Sequence, residues 1–130
     1  MRKILLILSA CIIAFSLSGC AAETSPLTYI SISASEAKEL MDSEKDCIIL
    51  DVRTEKEFSE GHIPNAVLIP DYEIEERAEN ELPDKKQLIL VYCRSGRRSK
   101  TAAEKLAEMG YSNVKEFGGI IDWGYETSVE

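Results

Sequence analysis

The chain is 130 residues long, with 15 basic and 23 acidic side chains, one histidine and a formal charge of −8. That is one domain's worth of sequence, enough to close a single core without staples. So acidic a balance argues against nucleic acid or an anionic membrane surface as partner, and one histidine with no close cysteine pair argues against a zinc site.

The first segment reads as an export signal. Arg2 and Lys3 head a nearly unbroken apolar run, Ile4 to Leu17, which is short for a bilayer span of about 20 residues. A basic head before such a run marks residues 1–19 as a signal peptide. Its end, "LSGC" from Leu17 to Cys20, resembles a bacterial lipobox. The resemblance implies that Cys20 becomes the first residue of an exported chain and carries palmitate-type acyl chains. Two such chains suffice for stable anchoring. The alternative is an ordinary signal peptide whose cysteine is incidental. Losing Arg2 and Lys3 with the signal leaves 13 basic residues against 23 acidic ones, a formal −10. The lipid, not the surface charge, is then what holds the domain at the membrane, outside the cytoplasm.

Residues 20–30 form the expected tether, and residues 31–130 the domain. "SASE", Ser33 to Glu36, has capping-box spacing and precedes Ala37, Leu40 and Met41 at helical intervals. "CIILDV", Cys47 to Val52, is a short apolar run of the kind found in strands buried on both faces. "TEKE", Thr54 to Glu57, is a second capping box, opening a short helix that carries Phe58. "AVLIP", Ala66 to Pro70, reads as a strand, and Glu73 to Asn80 as an acidic helix ahead of Pro83. "LILVY", Leu88 to Tyr92, is the clearest central strand. "SKTAAEKLAEM", Ser99 to Met109, is a strong helix with Gly110 at the left-handed position after its end. "NVKEF" is a last strand. Strands alternating with helices predict an α/β fold, a parallel sheet covered on both faces.

Cys93 falls where the central strand ends, the edge at which open parallel sheets bind ligands. Cys93, Arg94, Ser95, Gly96, Arg97 and Arg98 bridge that strand to the helix beginning near Ser99. Gly96 is free to take a positive φ, so the backbone N–H groups can curl around the thiol. The helix start adds unpaired N–H groups and the positive end of its dipole. This is an anion cradle with sulfur at its floor, and it favours the Cys93 thiolate. At least one of Arg94, Arg97 and Arg98 is expected to point away from it. The bland alternative, a buried strand-end cysteine beside a solvated helix start, leaves the glycine, the serines and the arginine cluster unexplained.

"CRSGRRS" resembles the active-site loop of rhodanese-family sulfurtransferases, whose C-x-x-G-x-R pattern is met by Cys93, Gly96 and Arg98. "ILDVRTEKEFSEGHIPNAVLIP", Ile49 to Pro70, is similar to the family's amino-terminal signature, and "GGIIDW", Gly118 to Trp123, to its closing element. The resemblance implies a five-stranded parallel sheet in an α/β/α sandwich. It also implies a Cys93 persulfide that takes sulfane sulfur from thiosulfate or a similar anionic donor and passes it to a thiol or cyanide-like acceptor. Arg94, Ser95, Gly96, Arg97, Arg98 and Ser99 would bind the substrate. The loop amides would hold the terminal sulfur, and Arg98, with Arg94 or Arg97, would attract the donor. No metal or other cofactor is called for, and a monomer is expected. Phosphatases of the same family use C-x₅-R, one residue longer, and that count reaches Ser99 rather than an arginine.

Asp51 and Arg53 match the family's D-V-R. They either brace the site or make a plain turn in which Asp51 satisfies backbone N–H groups. His62 is expected to be a turn residue rather than a base, Asn65 to tolerate left-handed geometry, and Trp123 to pack a loop near the site. Cys47 reads as a small buried core residue. A persulfide carrier without turnover and a Cys93–Cys47 redox pair remain open beside the enzyme.

Overall fold

The structure is a computed structural model and describes residues 28–129. The expected signal, Cys20 and the tether up to residue 27 lie outside the described residues.

Strand β1, Ile30–Ser31, leads into helix α1, Ala34–Ser43. Ser33 caps α1 with a complete capping box: its hydroxyl accepts the Glu36 N–H at 3.1 Å, and the Glu36 carboxylate accepts the Ser33 N–H at 2.7 Å. Strand β2, Ile48–Asp51, helix α2, Glu55–Glu60, and strand β3, Val67–Leu68, follow. A single 3-10 turn, Asp71–Glu73, opens helix α3, Ile74–Glu81. Strand β4, Ile89–Cys93, helix α4, Arg97–Glu108, and strand β5, Val114–Gly119, complete the sheet. The order is β1-β5-β4-β2-β3 and every pairing is parallel, the five-stranded α/β fold that the alternation predicts.

All five residues of β4 are buried, as befits a central parallel strand. Its alternation feeds two cores. Ile89, Val91 and Cys93 face α3 and α4, packing with Leu50, Ile74, Ala102 and Leu106. Leu90 and Tyr92 face the other way, with Ala37 of α1, Ile63, Phe117 and Trp123. The Cys93 thiol is therefore part of a core.

Four expectations are corrected. Ile30 leaves the tether to pair with β5, in a two-residue edge strand too short to show a period. Helix α4 begins at Arg97 rather than Ser99, because Gly96 turns left-handed and the chain coils at once. Thr54 accepts the Glu57 N–H and donates its hydroxyl to the Glu57 carboxylate, each at 3.2 Å, but that carboxylate is held chiefly by Arg98 rather than by a capping box. Cys47 is only half-buried, just ahead of β2 at the amino edge of the sheet.

Candidate active site

Cys93 ends β4 and is 1% exposed. The chain then turns through Arg94 and Ser95 to Gly96, whose φ of +104° favours a residue without a Cβ. The Gly96 N–H donates to Cys93 Sγ at 3.0 Å, and Ser99 Oγ lies 3.5 Å from the same sulfur. Burial pushes the thiol up. The Ser99 hydroxyl and the N–H groups of Ser99, Gly96 and Ser95 outweigh that and hold it below its ordinary value. Lowering a thiol in this way favours the thiolate, the form in which a cysteine attacks.

The loop is held from behind by the end of β5. Between Val91 and Cys93 the pairing slips, so that two steps along β4 match three along β5, from Glu116 to Gly119. This bulge brings Gly119 against the loop backbone: a Cβ there would stand 1.9 Å from the Arg94 carbonyl oxygen. The Ile121 N–H donates to that carbonyl at 3.2 Å. Close approach, not turn geometry, demands glycine at this position.

The three arginines separate. Arg94 and Arg97 are exposed. Arg98 does not stand free for a donor, because it binds Glu57 in a fork of 2.7 and 2.9 Å. The Arg98 guanidinium pulls the Glu57 carboxyl down to about 2. Arg97 and Arg98 also occupy the first turn of α4, which holds no acidic residue. Cations oppose the helix dipole there, a local cost that suits an anion site.

Asp51 and Arg53 form a buried ion pair. Arg53 Nε lies 3.0 Å from both Asp51 oxygens and Nη2 lies 2.6 Å from one of them, while Nη2 also donates to the Gly61 carbonyl at 2.7 Å. Asp51 accepts the Arg53 backbone N–H at 2.9 Å as well. The turn reading is thus seen, with Asp51 satisfying the Arg53 N–H, and the pair ties the end of β2 to Gly61 after α2. His62 stacks on Phe58 with ring centroids 3.7 Å apart, and its Nδ1 lies 2.9 Å from the Phe58 carbonyl. It is a turn residue. Asn65 takes φ 67°, and Trp123 packs on Phe117 and Tyr125.

A shallow cavity of about 320 Å³ opens beside the loop, lined by Arg53, Glu57, Gly61, Arg94, Ile120 and Ile121. A larger one, about 620 Å³, lies between α1 and the Trp123–Glu126 segment and includes no residue of the cysteine loop, whereas the smaller reaches Arg94 of that loop.

Sequence reasoning missed Glu116. It lies under the loop on the α4 side of β5, and its Oε1 accepts the Ser99 hydroxyl and the Gly118 N–H, each at 2.7 Å. Strand alternation could have found it, since Val114 faces the core and Glu116 is two residues on.

A buried cysteine at the carboxyl edge of a parallel sheet, with main-chain N–H groups turned toward its sulfur, is the arrangement that thiolate-dependent group transfer requires. Comparison with known proteins makes the class specific. The model of the Rhodanese-like domain matches residues 33–126, and the chain belongs to that family. It is 41% identical over 73 residues to the thiosulfate sulfurtransferase PspE of Escherichia coli (strain K12), covering 56% of this chain and 70% of that protein. It is 36% identical over 98 residues to the thiosulfate sulfurtransferase GlpE of Coxiella burnetii (strain RSA 331 / Henzerling II), covering 75% of this chain and 89% of the relative. Among solved structures, a rhodanese with anions from E. coli superposes with a TM-score of 0.61 at 36% identity, over 65% of this chain and 99% of that one.

Proposed function

We propose that this chain is a thiosulfate-type sulfurtransferase working through a Cys93 persulfide. The observation that carries the reading is the buried thiol held ionisable by the Gly96 N–H and Ser99. The Cys93 thiolate attacks the outer sulfur of thiosulfate. The S–S bond to sulfite breaks, and sulfite leaves with the electron pair. The loop amides hold the charged terminal sulfur until a thiol or cyanide takes it and restores the thiolate. Arg94 and Arg97 are the exposed cations that draw in the donor.

The test is the mass of the domain after thiosulfate treatment, followed by steady-state transfer to cyanide. A gain of one sulfur, reversed by a thiol reductant and absent in Cys93→Ser, is expected; no gain would sink the reading. Stoichiometric loading without turnover would make the chain a carrier instead.

We propose as well that Cys20 is the lipid anchor of an exported monomer. The basic head, the short apolar run and "LSGC" support this. Labelling with a palmitate analogue should disappear in Cys20→Ser.

A further inference from the structure

Every strand of the sheet runs the same way, so its connections divide between two edges. The carboxyl edge carries the cysteine loop after β4, Ile121 after β5 and Tyr72 beyond β3. The amino edge carries residues 44–47, 84–88 and 110–113, ahead of β2, β4 and β5. The chain enters the sheet from this amino side. Ile30 pairs with Lys115, and Lys115 with Leu90, so Ile30 stands level with Leu90, three residues below Cys93. Tyr29, just ahead of β1, packs on the core beside α3 and α4 and holds that direction of entry.

The two edges present different surfaces. The charged side chains of the amino-edge connections are Glu44, Lys45, Asp46, Asp84, Lys85 and Lys86, three acids against three bases. None of these connections exposes a large apolar side chain. On a chain of formal charge −8 this is a neutral patch, one that anionic headgroups do not repel and that does not insert among acyl chains. At the carboxyl edge Tyr72 is 68% and Ile121 58% exposed. Arg94 and Arg97 are exposed there too, and among the described residues neither is in an ion pair. Apolar side chains beside arginines suit a bilayer surface as well as a soluble partner, and the length of chain between lipid and domain decides between them.

Eight residues, 20–27, separate a lipid on Cys20 from Thr28, a reach of at most about 27 Å. Thr28 lies two residues before Ile30 and so five levels below Cys93, about 16 Å at the rise of a strand. Laying the cysteine loop on the bilayer would turn the segment back along the domain. That takes more than half of its reach before the height of the loop is added, and a segment held so straight gives up most of its conformational freedom. With the amino edge toward the bilayer, the segment keeps that freedom.

We propose that the anchored domain sits with its amino edge against the membrane and its cysteine loop facing away, so that its sulfur donor and acceptor are soluble molecules rather than ones dissolved in the bilayer. The inference rests on Cys20 as the lipid anchor.

The test uses the full lipidated chain in phosphatidylcholine vesicles that contain an amine-reactive headgroup lipid, with the adducts mapped by peptide mass. Lys45 and Lys86 are exposed at the amino edge, whereas Lys56 and Lys100 are exposed in the first turns of α2 and α4, beside the cysteine loop. Adducts on Lys45 and Lys86 should exceed those on Lys56 and Lys100 by about tenfold, because the short segment keeps one edge near the lipid. A flexible insert of about 20 Gly and Ser residues after Leu27 should even out the four positions. Equal labelling already at the native length, or an excess on Lys56 and Lys100, overturns the proposal. A chain that stays in the supernatant rejects the anchor and this orientation with it. Sulfur loading by thiosulfate, read on the same vesicles, is independent: its absence beside amino-edge adducts rejects the transfer reading and leaves the orientation standing.

Discussion

Arg98 and Glu57 lock together at 2.7 and 2.9 Å beside the cysteine loop, joining the first turn of α4 to the middle of α2. The pair cancels a positive charge next to a site that must attract an anion. Glu57→Gln releases that charge. The KM for thiosulfate should fall by about two- to fivefold, the range expected when a partly exposed pair is broken. An unchanged or raised KM would show that Arg98 acts only as a strut.

The same pair sets an acid limb of stability. The Glu57 carboxyl is lowered from 4.5 to about 2, chiefly by hydrogen bonding to Arg98. A lowered folded value means a contribution fully present above about 4.5 and lost as pH falls through about 2. Urea melts of the wild type and Glu57→Gln should converge on acidification across that window. Parallel curves would count against the pairing.

Gly119→Ala drives a methyl into the Arg94 carbonyl, 1.9 Å from its ideal position, and the obstacle is backbone rather than a flexible side chain. Overpacking of this kind costs about 1–3 kcal/mol. Because the displaced segment is the cradle itself, transfer should drop roughly a hundredfold. Melting and steady-state assays on one preparation separate the two effects; full activity would mean that the loop tolerates the shift.

Cys47→Ser should leave turnover as it is. Ile48 pairs with Ile89 in parallel register, so Cys47 lies level with Leu88, five residues below Cys93 on the neighbouring strand. At the rise of a parallel strand that is about 16 Å, beyond any disulfide. Loss of activity on this replacement would revive the redox pair.

The alternation of short apolar runs with helical spacing made the parallel sheet readable, because residues buried on both faces write long apolar stretches. The cradle was readable for a different reason: few sequences place a glycine three residues and arginines four and five residues after a strand-end cysteine. What escaped notice depends on contacts between distant segments. Glu57 looked like a cap because its spacing from Thr54 is local, whereas Arg98 lies 41 residues away. Glu116 shares the inward face of Val114 by strand alternation, but its partners Ser99 and Gly118 come from the loop and the bulge and leave no local pattern. The two-residue β1 could not show a period at all.

That edge strand also has a mechanical side. Among the described residues it pairs in register at two positions, Ile30 with Lys115 and Ser31 with Glu116, and the Ile32 N–H donates to the Glu116 carbonyl, so a pull on the residues ahead of it would peel it away before the inner strands yield. Peeling would strip the Ser31 hydrogen bond from Glu116 and wet the acid beneath the sulfur. Force applied at the start of the domain would thereby reach the hydrogen bonds that underlie the cysteine loop.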